Sequence, residues 1–377
     1  MRQIDMKKHL LGLVALMAAG AASAESGFNI WGVIDAAASH YSLGGVSVSK
    51  ETTSGASSSQ LGFKGQEDLG GGLGAGFWLE AGLLNNNGSV SGSSSNNQSN
   101  GSIGGGGMTF NRRSTVGLSS DWGELRLGRD VVPTRQNIAV YDPFATVGAA
   151  SVTNILQPAN GSQTGGNFIR SSNTVQYLYG FGPNANATTG KGFYVNAMAS
   201  FGNNASNSTN SAKQPNEGDG RYYGLRVGYA QDDFSVAVAT AKDKLVSVSD
   251  YTYTNVGGAY NWGNVRLSLI LEQNKDGMGD RFNAWNLGAR IVAGPGYIPI
   301  SYAVGKANDA IGSTASQFGI GYVYMLSKRT ALYGTFSHLN NKTGTLATFG
   351  GGNGSSSGLS AAAGSGNGFD IGLTTRF

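Results

Sequence analysis

Side chains that could carry out a reaction are scarce in this sequence. There is no cysteine among the 377 residues, and one of the three histidines, His9, belongs to the N-terminal segment 1–24. A hydrolase would need a histidine close to a nucleophile, and only His40 and His338 remain as places to look for one. No cluster of His, Asp and Glu suggests a metal site. We therefore predict a protein that is not an enzyme, with no catalytic residue, no metal and no cofactor.

Charged side chains gather instead around one long stretch of the chain. Adjacent Arg112 and Arg113 lie on a predicted strand, a second strand follows from Glu124 to Arg129, and a long irregular loop then leads to a strand that carries Arg170. Loops of that length inside a regular chain are commonly functional, as lids or binding loops. If the strands close a barrel, this loop can fold inward and narrow the opening.

The composition indicates a membrane protein that is built from strands. Charged residues make up 13% of the chain, against about 25% in ordinary soluble domains, and 61 residues are glycine. After the N-terminal segment, no apolar run approaches the roughly 18 residues that a membrane helix requires. Strands can cross a bilayer only as a closed barrel, because every backbone polar group there needs an internal partner.

The N-terminus has the pattern of a secretory signal. Arg2, Lys7 and Lys8 precede the apolar run 10–19, and Ala22-Ser23-Ala24 follows as a small-residue cleavage site. We predict a signal peptide over residues 1–24 and a mature chain that begins at Glu25. Without residues 1–24 the formal net charge falls from +4 to +2, which is too small to imply a nucleic-acid partner.

Alternating apolar and polar residues predict sixteen strands. The pattern is clearest where Val265, Leu267 and Leu269 interleave with Arg266 and Ser268. The predicted spans are 28–41, 57–67, 73–84, 108–120, 123–130, 167–180, 191–201, 220–230, 233–242, 250–261, 264–274, 281–293, 297–308, 314–326, 329–340 and 368–377. Short connections mark one rim, with 181–191 as a longer exception, and the loops 86–107, 202–219 and 341–366 mark the other.

Several segments resemble the general porins of Gram-negative outer membranes, especially the β-proteobacterial type. The resemblance covers the whole mature length and ends at Phe377. It rests on Asn29-Ile30-Trp31-Gly32-Val33-Ile34-Asp35, the segment 59–73, Phe77-Trp78-Leu79-Glu80, the segment 112–120 and Leu125-Arg126-Leu127-Gly128-Arg129. Their order and spacing together are specific, although no single motif is decisive.

This resemblance implies a fold, a location and partners. The fold is all-β, a closed transmembrane antiparallel β-barrel of 16 strands over residues 25–377, with a long third external loop folded into the lumen. The implied protein is a homotrimer in the outer membrane, in contact with lipid and lipopolysaccharide, and passes small hydrophilic solutes and inorganic ions by passive diffusion. The alternative is a plugged barrel that acts as a structural or adhesive surface protein.

The resemblance also implies a pore constriction where basic wall residues face the inward loop. Its candidate residues, from resemblance and alternation together, are Lys64, Arg112, Arg113, Arg126, Arg170, Glu80, Asp130 and Asp142, with Glu124 as a further wall acid. Because Gln60 stands where the family usually has another arginine, we expect only a weak anion preference. A transverse field between opposed charges would set that preference.

Two assignments within the predicted constriction are open to alternatives. Val116 and Leu118 share their parity with Arg112, so hydrophobicity aims Arg113 inward, whereas the resemblance favours Arg112; adjacent residues of a regular strand cannot both point inward. In the loop, Tyr141-Asp142-Pro143-Phe144 replaces the Pro-Glu-Phe-Gly-Gly stretch of enteric porins. Asp142 is therefore the first candidate for the acidic partner and Asp130 the second.

Overall fold

The computed structural model describes residues 27–97, 102–103, 107–156, 168–186, 188–206, 217–245, 249–350, 359 and 362–377. The predicted signal peptide 1–24 and the predicted start at Glu25 lie outside these ranges, as do parts of the three predicted long loops.

Strands dominate the described part of the chain, and two helices interrupt them. The strands are β1 Gly27–Leu43, β2 Val46–Thr53, β3 Gln60–Gly70, β4 Leu73–Leu84, β5 Ser89–Val90, β6 Ser93–Ser94, β7 Ser102–Ile103, β8 Arg113–Ser120, β9 Gly123–Val131, β10 Arg170–Tyr179, β11 Gly192–Ser200, β12 Tyr222–Gln231, β13 Phe234–Leu245, β14 Ser249–Trp262, β15 Val265–Lys275, β16 Arg281–Ala293, β17 Gly296–Ala307, β18 Thr314–Met325, β19 Thr330–Thr343 and β20 Gly364–Arg376. The helices are α1 Pro133–Tyr141 and α2 Thr153–Leu156. Neither helix is long and apolar enough to cross a membrane.

The long strands form one antiparallel sheet that closes on itself. The first strand β1 pairs with the last strand β20, from Val33 opposite Arg376 to Tyr41 opposite Gly368. Strand β2 pairs with residues Ala36 to Leu43 of β1, and β3 pairs with residues Gly27 to Val33. Together β2 and β3 form a single interrupted barrel strand. The three two-residue strands β5 to β7 belong to the connection between β4 and β8. The predicted barrel of sixteen strands is confirmed.

Side chains alternate between the outer surface and the lumen, as the sequence predicts. Leu267, Leu269 and Leu271 of β15 are exposed on the outside, while Ser268 and Glu272, which point the other way, are buried inside. An apolar outer band and a polar interior are what a membrane barrel requires.

One rim of the barrel consists of tight turns. Two residues separate β8 from β9, β12 from β13, β14 from β15, and β16 from β17. Gly263 and Gly294 begin two of these turns with φ of 56° and 58°, a left-handed conformation that tight hairpins require and that glycine adopts without strain. The predicted short-turn rim is confirmed.

Several predicted boundaries are wrong. No strand is predicted over residues 46–53, whereas β2 extends the second barrel strand beyond a break at 54–59. It also placed the start of the fourth strand at 108, five residues before β8 begins at Arg113. Polar residues fill β2, so alternation with apolar residues could not reveal it; pairing with β1 stabilises it instead.

The described residues of the long connection between β9 and β10, 132–156 and 168–169, lie inside the barrel, and we call them the inward loop. Its helix α1 begins at Pro133, which suits a first helical position because proline has no N–H to leave unpaired there. The loop residues Ile138, Ile155 and Leu156 are fully buried in one apolar cluster with Tyr253 of the barrel wall. Burial of these side chains holds the loop against one half of the wall and leaves the other half open.

Candidate functional site

An open cavity lies between the inward loop and the wall formed by β3, β4, β8, β9 and β10. Its volume is about 170 Å³. It is lined by Ser58, Gln60, Glu80, Arg112, Arg113, Asp130, Val131, Arg135, Gln136, Ala139, Ala145, Thr146, Ile169, Arg170, Asn186 and Thr188. We call it the arginine cavity, because four arginines reach it and only two carboxylates accompany them.

Both Arg112 and Arg113 line this cavity. Arg113 begins β8 directly opposite Glu80 and lies on the inner face, away from the exposed Val116. Arg112 precedes the strand, and its Nε forms an ion pair with the Glu80 carboxylate. The preference for Arg112 alone was wrong, since alternation does not constrain a residue that lies outside the regular strand.

Arg126 is buried in an ion cluster and does not face open space. Its Nε and one terminal nitrogen donate to the two Glu124 oxygens at 2.8 and 3.0 Å, and its other terminal nitrogen donates to Asp130 Oδ2 at 2.8 Å. Asp130 also lies 3.6 Å from Arg113 Nε. Buried charges of this kind largely neutralise one another, so Arg126, Glu124 and Asp130 contribute little net charge to the cavity.

Lys64 lies beside the arginine cavity rather than in it. Lys64 of β3 lies opposite Trp78 of β4, and Lys64 Nζ lies 4.8 Å from the centre of the Trp78 ring. The Arg113 guanidinium carbon lies 4.2 Å from the same ring centre. Trp78 therefore holds two cations by cation–π attraction, and its Nε1 donates to Glu80 at 3.1 Å.

Arg170 reaches the cavity by a different route from the one that alternation suggested. The pairing of β10 with β9 shifts between Ser171 and Thr174, where Asn173 has a φ of 58°. One extra residue in a strand reverses the face that the following side chains occupy. Counting alternate residues through this point therefore does not predict which face Arg170 occupies. The Arg170 Nε donates to the Arg112 carbonyl at 3.0 Å, which fixes the Arg170 side chain to the backbone that precedes β8.

Asp142 does not line the cavity, although its charge acts on Arg135, which does. Its two oxygens accept hydrogen bonds from the backbone N–H groups of Phe144, Thr146 and Val152 at 3.0, 2.8 and 3.2 Å. Burial raises the pKa of Asp142, and these N–H donors oppose the shift. The carboxylate shapes the turn after α1, as short acidic side chains often do.

Arg135 of α1 lines the cavity, although the sequence analysis did not identify it. Its side chain is buried, yet neither terminal nitrogen has a hydrogen-bond partner among the described residues. Burial lowers the pKa of Arg135 to about 10, which leaves it protonated at neutral pH. The only hint in the sequence was a lone basic residue within the long loop, because the alternation argument applies to strands alone.

Positive charge exceeds negative charge around the cavity. Its arginines, including those directly behind its lining, are Arg112, Arg113, Arg126, Arg129, Arg135 and Arg170, and its acids are Glu80, Glu124 and Asp130. Arg129 donates to the Asn111 carbonyl at 2.6 Å and to Ser172 Oγ at 2.8 Å, both neutral groups. Three carboxylates thus accompany six guanidinium groups here, and Asp142 and Glu272 also act on Arg135.

Polar side chains of the wall fix the inward loop along its length. The contacts are Asn137 Nδ2 to Asn255 Oδ1 at 2.8 Å, Asn196 Nδ2 to Gln136 Oε1 at 2.6 Å, Arg290 Nε to the Pro143 carbonyl at 2.6 Å, Asn154 Nδ2 to Gln317 Oε1 at 2.9 Å and the Ala149 N–H to Asp370 Oδ2 at 2.7 Å. These contacts span β11 to β20, so the loop is held on the side of the lumen opposite Arg112, Arg113 and Arg170.

The two histidines lie far from this site. His40 Nδ1 is 2.8 Å from Ser49 Oγ, and His338 Nδ1 is 2.8 Å from Asn367 Oδ1, both at exposed positions. Within the described residues, no group of three or more His, Cys, Asp or Glu side chains is placed to hold a metal ion.

Comparison with known proteins agrees with this geometry. Residues 12–344 match the Gram-negative porin family. The chain is 37% identical to outer membrane porin protein 32 of Delftia acidovorans over 356 residues, which cover 89% of this chain and 90% of that protein. It is also 25% identical to an outer membrane porin protein of Bordetella pertussis, over 89% of this chain and 95% of that one.

Solved structures show the same barrel. The anion-selective porin from Comamonas acidovorans superposes with a TM-score of 0.75 and 32% identity, over 94% of this chain and all of that one. OmpF of Salmonella typhi shares the fold at 17% identity, with a TM-score of 0.57, over 93% of this chain and 97% of that one. With its sixteen-stranded barrel and partly open lumen, the chain belongs to the Gram-negative porin family and forms a channel for passive diffusion across the outer membrane.

Proposed function

We propose that this porin passes anions in preference to cations and that the arginine cavity sets the preference. The proposal rests mainly on the surroundings of Arg135. Its two terminal nitrogens have no partner among the described residues, and it shares the cavity with Arg112 and Arg170. A guanidinium whose terminal nitrogens have no hydrogen-bond acceptor attracts an anion in a confined space, because those donors are not already taken.

The balance of paired and unpaired charges around the cavity also favours anions. Arg112 is paired with Glu80, and Arg126 with Glu124 and Asp130, whereas Arg129, Arg135 and Arg170 make no ion pair among the described residues. A related protein described as an anion-selective porin adds support from outside the chain. Asp142 accepts hydrogen bonds from its own loop but still acts on Arg135 through its charge, so the preference that we expect remains weak.

Reversal potentials across a planar lipid bilayer test this proposal. We expect the wild-type channel to favour chloride over potassium in a salt gradient, and Arg135→Ala and Arg170→Ala each to reduce the permeability ratio. Lys328→Ala, which removes a cation from an exposed turn of the short-turn rim, is the matched control. Preference for potassium in the wild type would refute the proposal, as would an equal reduction in the Lys328 control. A wild type without conductance would favour a plugged surface protein.

The second part of our proposal concerns assembly and surroundings. We propose a homotrimer that contacts lipid and lipopolysaccharide with its outer band, and one solved relative is described as a trimer form. Aromatic rings pack against one another between strands, as Phe28 of β1 does with Phe77 of β4 at 6.4 Å and Phe336 of β19 with Phe369 of β20 at 5.0 Å between ring centres. Mass measurement in mild detergent should give three times the mature chain mass, and a strictly monomeric channel would refute the trimer.

A further inference from the structure

The connection between β10 and β11 is longer than the tight turns beside it, and it folds into the lumen. Its described residues are 180–186 and 188–191, and we call them the rim insert. Phe181 packs against Tyr194, a fully buried residue of the inner wall, with ring centres 5.2 Å apart. A surface turn would have no reason to place its side chains there.

Asn184 fixes the tip of the rim insert to strands that are not its neighbours. Its side-chain nitrogen donates to the carbonyls of Gly65 in β3 and Phe77 in β4 at 3.2 and 3.1 Å. Its backbone N–H donates to Glu124 Oε2 in β9 at 2.9 Å. The residue has a φ of 49°, a conformation that asparagine adopts more readily than most residues. The insert therefore crosses the inner face of several strands.

The residue after Asn184 covers two of the lumenal arginines. The Ala185 carbonyl accepts hydrogen bonds from a terminal nitrogen of Arg113 at 3.1 Å and from one of Arg126 at 2.9 Å. Hydrogen bonds from charged donors are stronger than neutral ones, so this carbonyl occupies donors that a passing anion would otherwise use.

The rim insert also meets the inward loop, which comes from the opposite rim. Asn186 and Thr188 line the arginine cavity together with Arg135. Arg226 of β12, fully buried, donates through Nε to Asn137 Oδ1 of the inward loop at 3.0 Å and through a terminal nitrogen to the Thr188 carbonyl. Arg226 thus links the rim insert to the inward loop.

We propose that the rim insert is a second constriction element, inserted from the periplasmic rim, which narrows the passage and withholds Arg113 and Arg126 from permeating ions. The rim of short turns is the periplasmic one in outer-membrane barrels. The passage is then bounded by two loops from opposite ends of the barrel, and the insert sets how many arginine donors an anion meets. This proposal concerns channel width first, and only its effect on selectivity depends on the anion preference proposed above.

Cysteine labelling tests the position of the insert, because the natural chain has no cysteine. We would label Asn186→Cys with a negatively charged methanethiosulfonate and record conductance in planar bilayers, with Asp232→Cys in an exposed tight turn of the same rim as control. Conductance should fall in discrete steps for the first variant and stay constant for the second. Complete labelling at residue 186 by mass, with conductance unchanged, would overturn the proposal.

Asn184→Gly tests what the insert does. Glycine keeps the left-handed backbone conformation and removes the side chain that donates to Gly65 and Phe77 and accepts from Arg113. We expect higher single-channel conductance and a higher chloride preference, since Arg113 and Arg126 regain free donors. Unchanged values for both would contradict the proposal. If the wild type prefers cations, the anion proposal fails while the labelling result still decides the role of the insert.

Discussion

Asp370, in the strand that closes the barrel, accepts a hydrogen bond from the backbone N–H of Ala149 at 2.7 Å. The same carboxylate accepts hydrogen bonds from Ser39 Oγ and Tyr41 Oη of β1, each at 2.7 Å. One side chain thus joins the tip of the inward loop to the first and last strands. The far end of the loop is fixed to the place where the sheet closes.

We expect Asp370→Ala to loosen the inward loop without opening the barrel. Hydrogen bonds to a charged group contribute about 1.5–3 kcal/mol each, and the variant leaves three donors without their acceptor. Single-channel recordings should show a noisier current with more frequent changes of conductance. Asp233→Ala, at an exposed tight turn, is the control. A quiet current identical to wild type would show that the loop does not depend on this contact.

Arg126→Met should destabilise the protein and change selectivity at the same time. Breaking a buried ion pair by removing one partner costs about 3–5 kcal/mol, because Glu124 and Asp130 are left buried without their main counter-ion. The temperature at which the folded barrel unfolds in detergent should fall, and chloride preference should fall with it. Adding Glu124→Gln and Asp130→Asn to the variant should restore part of both. No restoration would mean that packing, rather than charge, explains the loss.

Asn97 should anchor the connection between β4 and β8 to its own barrel. Its side chain accepts from the Ser172 N–H at 2.7 Å and donates to the carbonyls of Ser172, Phe201 and Gly220 at 3.1, 3.4 and 3.1 Å. We expect Asn97→Ala to increase cleavage of this connection by an added protease. Asn97→Gly separates two causes, because the native φ of 61° strains alanine but not glycine. If the glycine variant resists protease like wild type, the hydrogen bonds are not the anchor.

The anion preference should depend on salt concentration. The screening length is about 10 Å at 0.1 M salt and about 3 Å at 1 M, so the reach of the unpaired arginines shrinks as salt rises. Permeability ratios measured over the same concentration ratio should be larger in dilute than in concentrated potassium chloride. Arg135→Ala should flatten this dependence. A ratio independent of salt would show that pore size, rather than charge, sets the preference.

The barrel could be predicted from the sequence because its strands obey a simple period. Strands such as β15 and β16 have an apolar face toward lipid and a polar face toward the lumen, and alternation located both within one residue. Alternation fails where lipid does not dictate the pattern. Strand β2 is polar and is held by its partner, and Asn173 interrupts the parity of β10.

The site was less predictable because it depends on where two loops go. Turn residues such as Pro183 and Asn184 indicate that the chain reverses, but they do not indicate that the reversal lies inside the barrel. Asp142 was assigned by its position in the loop, whereas its backbone contacts show a carboxylate that shapes the loop. Arg135 depends on the direction of α1, which buried Ile138 fixes only in three dimensions.

The pairing of β1 with β20 has a consequence for biogenesis. Nine residue pairs join the two strands, and Phe377 exchanges backbone hydrogen bonds with Gly32 at 3.1 and 3.2 Å. Every shorter nascent chain has two unpaired strand edges, which attract other chains and aggregate unless they are protected in the periplasm. Contacts so distant in sequence also form slowly. Deletion of the 13 residues of β20 would therefore leave an open, aggregation-prone sheet instead of a smaller barrel.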